Sequence, residues 1–167
     1  MSLRDPMGLD VTMTCRPLSG ILAVTGGRHC AVVVWHWDNS CGSWVRVIDA
    51  QYSLPFGGTS PTGDPTNRTF RDDRAAFNNL SPYGPQQNYT IPAPAGMSQS
   101  AFDRAVMTSG NSYSQGAYSA PGFGPNSNTT ANNIISNAGG TPPNVSGAYG
   151  QGYSVPSWGS GVFGGAP

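Results

Sequence analysis

The sequence predicts a small, loop-rich α+β domain in which an antiparallel sheet packs on a late helix. Two segments rich in β-branched and aromatic residues, RHCAVVVWHW and WVRVIDAQY, lie either side of a turn-like stretch and predict a hairpin. An apolar stripe of helical spacing follows a polar cap near residue 127. The 23 glycines and 15 prolines predict long connections between these elements.

The hairpin strands are expected at 28–37 and 44–52, and we expect them to be central in the sheet. Upstream, the residues GILAVT at 20–25 predict a short third strand. Downstream, residues 54–96 predict mostly loop, with one or two helical turns at 70–80. The β-structure is therefore expected in the first third of the chain.

Two helices are predicted in the second half, each beginning at a polar cap. The first covers residues 98–109, where a serine can cap the helix. In the second, Asn126 or Ser127 can cap the helix, and a Gly-Gly pair at 139–140 ends it. The apolar stripe of this second helix consists of Ala131, Ile134, Ile135 and Ala138. Ser127 is therefore expected at the start of a helix that packs into the core.

The domain organisation predicted is one domain over 1–151 followed by a tail over 152–167. Glycine, proline and aromatic residues dominate the tail, and no face of it is apolar. The tail is therefore expected to add little to the core.

Composition excludes several functional classes. Charged residues are 10% of the chain, against roughly 25% in ordinary globular domains, and the formal net charge is zero. A neutral surface does not favour nucleic-acid binding. No apolar run approaches the ~20 residues that span a bilayer, so no membrane span is expected. The first ten residues lack the apolar core of a signal peptide, so we expect secretion or delivery by a non-classical route.

The cysteines Cys15, Cys30 and Cys41 make an odd count. Reduced, buried thiols are the expectation, and Cys30 with Cys41 is the favoured pair if one disulfide forms, because they are close in sequence. Two histidines without a C-x-x-C motif do not complete a zinc site. We therefore expect neither a metal nor another cofactor.

Strand alternation separates the two histidines of the chain. It places His29, with Trp35, on one face of the first hairpin strand, and Cys30, with His36, on the other. His29 is therefore the candidate general base, and neither His36 nor the thiol of Cys30 is expected to act with it. The alternative is that each histidine is simply a packed or solvated strand residue.

A general base also needs an acceptor on its other ring nitrogen, and the second hairpin strand offers Asp49. One register would put Gln51 opposite His29 and Asp49 diagonal to it. A register shifted by one residue would turn both side chains away, and the sequence leaves this choice open.

Ser127 is the candidate nucleophile because a helix N-terminus carries a partial positive charge and free backbone N–H groups. Those groups can stabilise an oxyanion, and the N–H of Ser127 or Asn128 is expected to do so. The alternative is that Ser127 is an ordinary helix cap. The side chains expected to line the binding site are Gln51, Asn126, Asn128 and Trp35.

The order of these parts resembles a circularly permuted papain-like fold, the group that includes the PPPDE peptidases and the lecithin:retinol acyltransferase-like proteins. An early strand carries His29, an adjoining strand carries Asp49, and Asn126-Ser127-Asn128 opens a late helix. In that group the late motif resembles N-C-N or N-C-x-x-F, with cysteine as nucleophile. Residues 98–151 also resemble the C-terminal effector domains of bacterial Rhs-type polymorphic toxins.

The resemblance implies a hydrolase or acyltransferase that acts on an amide or ester bond. Ser127 would be the nucleophile, His29 the base and Asp49 the orienting residue. Serine in place of cysteine leaves three explanations open: a lineage that uses serine, an inactive member, or a Cys→Ser replacement. A peptide, peptidoglycan or lipid substrate, and a cognate immunity protein as partner, are the implied molecules. The competing hypothesis is a non-catalytic, secreted binding or structural module that contacts carbohydrate or protein.

Overall fold

The computed structural model describes residues 10–18, 26–38, 45–53, 86–114 and 125–152. In chain order the elements are β1 (Asp10–Pro17), β2 (Arg28–Asp38), β3 (Val45–Tyr52), β4 (Gln87–Ile91), α1 (Gln99–Ser112) and α2 (Ser127–Asn137). The four strands form one sheet in the order β3-β2-β1-β4, and every pairing is antiparallel. The predicted α+β class is confirmed.

The predicted hairpin is confirmed as β2 and β3, but only β2 lies inside the sheet. Its inner neighbour is β1, which the prediction missed although Val11 and Met13 alternate there with Thr12 and Thr14. The other unpredicted strand, β4, lies within the stretch expected to be loop. This five-residue strand is polar, and its pairing with β1 supplies the order that its sequence does not encode.

One face of the sheet is apolar and packs against both helices. It consists of Val11, Met13, Cys15, Cys30, Val32, Val34, Tyr52 and Ile91, each at most 2% exposed. Helix α1 adds Phe102 and Val106 to this core. Helix α2 adds the predicted stripe of Ala131, Ile134, Ile135 and Ala138, all of them buried. The predicted packing of this helix on the hairpin is therefore confirmed through its contact with β2.

The opposite face of the sheet carries polar side chains beside Ala31 and Val33, and these polar side chains are also buried. Thr12, Thr14, His29, Gln51 and Ser53 are each at most 8% exposed. Because buried polar groups are stable only when hydrogen-bonded, the hydroxyls and amides of this face must find partners within the protein. This is the face that carries His29.

A disulfide joins Cys15 to Cys30, which corrects the expectation of reduced thiols and of a Cys30–Cys41 pair. The two cysteines are directly opposite each other in the β1–β2 register, and both are fully buried. Closeness in sequence suggested Cys41, whereas strand pairing brings Cys15 to Cys30 from 15 residues away. Cys41 lies outside the described residues.

Several predictions fall where the structure gives no description: the strand at 20–25, the helical turns at 70–80, and nearly all of the tail at 152–167. The division into a domain and a tail stays a prediction. Among the described helices, none is both long enough and apolar enough to cross a membrane.

Candidate active site

The side chains of Ser127 and His29 meet, although 98 residues separate them. The Oγ atom of Ser127 lies 2.7 Å from Nδ1 of His29. His29 is the second residue of β2, and Ser127 is the first residue of α2. The helix packs on β2, so its N-terminus lies at the end of the strand where His29 sits. Ser127 is 3% exposed and His29 is 8% exposed.

The second ring nitrogen of His29 is bound by a serine that the sequence analysis did not single out. Nε2 lies 3.0 Å from the Oγ atom of Ser53. When Nδ1 accepts the hydroxyl proton of Ser127, Nε2 carries the ring hydrogen and donates it to Ser53. The only signal for Ser53 in the sequence is its place two residues after Gln51, which puts it on the same face of the sheet.

Asp49 does not reach His29, which corrects the predicted orienting residue. Gln51 is paired with Val33 rather than with His29, so the second strand is displaced by four residues along β2. A register shift between Val34 and Trp35 leaves Asp49 without a paired partner. Its carboxylate lies 3.8 Å from Nδ1 of His36 at a partly exposed position. The sequence left this register open, and it could not reveal the bulge that leaves Asp49 unpaired.

The start of α2 is capped by Asn126, whose Oδ1 accepts hydrogen bonds from Asn128 N at 2.9 Å and Thr129 N at 3.4 Å. The hydroxyl of Thr129 in turn accepts from Asn126 N at 3.2 Å, which completes a capping box. The N–H of Asn128 is therefore occupied and cannot serve the oxyanion, contrary to one of the two predicted options. The N–H of Ser127 makes no hydrogen bond within the described residues.

Asn126 and Asn128 link the helix to the turn at 145–151 through hydrogen bonds from their side-chain amides. Nδ2 of Asn126 donates to the carbonyl of Tyr149 at 3.0 Å, and Nδ2 of Asn128 donates to the same carbonyl at 2.9 Å. Both residues are at most 3% exposed. These described contacts are structural, and a binding role for the two residues stays a prediction.

Gln51 and Trp35 share the polar face of the sheet with His29. Gln51 is 1% exposed, and its Nε2 has no hydrogen-bond partner among the described residues. The indole N–H of Trp35 donates to the hydroxyl of Thr12 at 2.8 Å. Gln51 lies opposite Val33 and not opposite His29, and Trp35 lies farther along the same strand as His29. A binding role for them stays a prediction.

Burial changes the pKa of an acidic and a phenolic side chain elsewhere in the domain. Burial raises the pKa of Asp103 to about 6, despite the hydrogen bond from Gln99. Burial raises the pKa of Tyr52 to about 12, with a smaller contribution from Asp49. Tyr52 donates to the carbonyl of Met107, which makes it a structural link between β3 and α1.

Within the described part of the chain, no group of three histidine, cysteine or acidic side chains is arranged to hold a metal ion. No protein-family model matches the chain, and neither curated proteins nor solved structures yield a match. The resemblance to permuted papain-like proteins therefore stays a prediction. The geometry of the Ser127–His29–Ser53 cluster is therefore the basis for a proposed function.

Proposed function

We propose that the protein is a hydrolase or acyltransferase that cleaves an amide or ester bond, with Ser127 as nucleophile and His29 as general base. The observation that carries this proposal is the 2.7 Å separation between Oγ of Ser127 and Nδ1 of His29. A serine hydroxyl is a poor nucleophile by itself and needs an adjacent base to remove its proton. The placement of Ser127 at a helix N-terminus favours the negative charge that develops on attack.

In the proposed reaction, Oγ of Ser127 attacks the carbonyl carbon of the substrate while Nδ1 of His29 takes the hydroxyl proton. The carbonyl oxygen becomes an oxyanion, and the N–H of Ser127, which bonds none of the described residues, is the proposed donor to it. His29 then returns the proton to the leaving amine or alcohol, which leaves an acyl-serine. Water or another nucleophile resolves this ester by the same steps in reverse.

Ser53 supports the proposed base by accepting a hydrogen bond from Nε2 of His29. This contact is compatible with the tautomer in which Nδ1 accepts the proton of Ser127, because a hydroxyl can accept the ring hydrogen of Nε2. A hydroxyl is neutral, so it orients the imidazole without the charge stabilisation that a carboxylate gives to an imidazolium. We therefore propose an active site whose orienting group carries no charge.

The buried disulfide supports a setting outside a reducing cytosol, because such bonds persist in oxidising compartments. We propose a secreted or delivered bacterial effector, in keeping with the resemblance to Rhs-type toxin domains. The proposed substrate is a peptide, a peptidoglycan cross-link or a lipid ester, and a cognate immunity protein is the proposed partner.

The test is covalent labelling with a fluorophosphonate, which acylation-type serine nucleophiles attack with loss of fluoride. We expect the wild-type protein to be labelled at Ser127, and we expect Ser127→Ala and His29→Ala to lower the labelling rate at least about 100-fold. Ser100→Ala is the matched control, because Ser100 lies at the start of α1. Among the described residues, its hydroxyl is hydrogen-bonded to the nearby Ser98 and not to a histidine. Wild-type protein that resists labelling while folded would reject the proposal and favour the binding module.

A second experiment addresses the serine itself. The Ser127→Cys variant should carry a thiol with a depressed pKa, because the helix N-terminus and a nearby imidazolium both favour the thiolate. Alkylation by iodoacetamide should then be rapid at mildly acidic pH and become slow when His29→Ala is added. A thiol that reacts like free cysteine, with or without His29, would leave Ser127 as a helix cap.

A further inference from the structure

The strand that carries His29 extends beyond its neighbour on one side. The pairing of β3 with β2 ends at Val32, whereas β2 begins at Arg28. On the side of β2 away from β1, the backbone groups before Val32 therefore need partners other than the described residues of β3. Within the described residues, Gly147 supplies one of them, since its carbonyl accepts from Arg28 N at 2.8 Å.

The side chain of Asn128 supplies two more. Its Oδ1 accepts from Cys30 N at 2.9 Å, and its Nδ2 donates to the carbonyl of Arg28 at 2.9 Å. These two backbone groups flank His29. The amide therefore contacts β2 as a short strand segment would, and it does so immediately before and after the proposed base.

Asn128 is also the residue next to Ser127, and it is 3% exposed. Its remaining amide hydrogen is used by the carbonyl of Tyr149. A single side chain thus joins the first turn of α2 to the strand residues on both sides of His29. Both polar atoms of this amide, Oδ1 and Nδ2, are therefore hydrogen-bonded within the protein.

We propose that Asn128 is a positioning residue that sets the distance between Ser127 and His29. This inference depends on the proposed function, because it concerns the geometry of the same pair. Oγ of Ser127 and Nδ1 of His29 must stay within hydrogen-bond distance for proton transfer. A displacement of about 1 Å at such a pair can cost on the order of 100-fold in rate.

The same helix contains a matched control one turn later. Nδ2 of Asn132 donates to the carbonyl of Gln151 at 3.0 Å, and the side chain of Gln151 returns a hydrogen bond at 3.1 Å. Asn132 therefore also ties α2 to the turn at 145–151, but it has no described contact with β2. Removing its side chain perturbs the helix without loosening the strand beside His29.

The experiment compares fluorophosphonate labelling of the full chain in wild type, Asn128→Ala and Asn132→Ala. We expect Asn128→Ala to slow labelling between about 10-fold and 100-fold. Asn132→Ala should stay within about threefold of wild type, the scale of an indirect change. Equal rates in the two variants would overturn the positioning role. If the wild type itself is not labelled, the proposed function fails instead.

A second readout separates positioning from loss of stability. In the Ser127→Cys background, the pH profile of iodoacetamide alkylation reports how close the thiol lies to His29. Adding Asn128→Ala should move that profile toward a free thiol, whereas adding Asn132→Ala should leave it in place. An unmoved profile with Asn128→Ala would reject the inference. If Asn128→Ala does not fold, Asn128→Asp carries the test, because it keeps the acceptor for Cys30 N and loses both N–H donors.

Discussion

The two helices begin with similar chemistry and end in different roles. Ser98 caps α1 by accepting from Ala101 N at 3.2 Å, and it is exposed. The described hydrogen bonds of this first turn reach no farther than Ala93, six residues from Gln99. At α2, by contrast, the cap and the whole first turn are buried, and the bonds of Asn128 span up to 100 residues.

A polar helix cap depends only on local sequence, whereas a functional site requires a partner from elsewhere in the chain. Serine is present at both helix starts, as Ser98 and as Ser127. Only Ser127 meets a histidine, because only α2 packs its first turn against the beginning of β2. Because the start of α2 is buried, the side chains of Asn126 and Asn128 form hydrogen bonds with other segments of the chain.

The largest effect should come from a glycine that contacts the start of α2. Gly150 has φ of +90°, and a Cβ there would overlap the amide of Asn126. Gly96, near the start of α1, has φ of +83°, and a Cβ there would meet nothing within 4 Å. We expect Gly150→Ala to lower the free energy of unfolding by about 3–4 kcal/mol, and Gly96→Ala by about 1 kcal/mol.

Urea denaturation followed by circular dichroism measures both losses. Backbone strain is common to the two positions, so the difference between them isolates the contact with Asn126. Losses of the same size would show that the start of α2 is no more tightly packed than that of α1.

A smaller difference is expected between the caps themselves. Asn126→Ala removes the capping box and one of the two side-chain amides that donate to the carbonyl of Tyr149, so it should cost about 2–3 kcal/mol. Ser98→Ala removes one exposed cap and should cost about 0.5–1 kcal/mol. Thermal melts of the two variants provide the measurement, with Ser112→Ala as an exposed control at the other end of α1. A cost at Asn126 no greater than at Ser98 would contradict the tertiary role of that cap.

The smallest effect concerns charge, which α1 buries and α2 lacks. Asp103 is fully buried, and in the part of the chain that the structure describes one of its carboxylate oxygens has no hydrogen-bond partner. Its pKa of about 6 lies above the ordinary value, so the folded state holds the proton more tightly than the unfolded state. The free energy of unfolding should therefore fall as pH rises from about 4 to about 6, and the penalty persists above that range.

Asp103→Asn should remove this fall and stabilise the protein by about 1–2 kcal/mol at pH 7.5. The amide oxygen can still accept the hydrogen bond from Gln99, which makes the substitution close to isosteric. Urea denaturation at pH 4.5 and at pH 7.5 provides the measurement. A variant that retains the full pH dependence would assign it to a group other than Asp103.

Much of the fold was predictable where the pattern is local. The period of β2 placed His29 and Cys30 on opposite faces, and the stripe from Ala131 to Ala138 located α2 and its buried face. Strand β1 carries a clear alternation that the prediction overlooked. Strand β4 carries almost none, because a short polar strand is ordered by its neighbour and not by its own residues.

The local pattern of residues predicts which side of its strand His29 faces and that Ser127 begins a helix, because both follow from backbone periodicity. The contacts of these side chains depend on how the strands and helices pack together. A bulge near Asp49 set the register of β3, which turned the carboxylate toward His36 and brought Ser53 to His29. Cross-strand pairing likewise joined Cys15 to Cys30. Register and helix docking depend on contacts between distant residues, which no local pattern encodes.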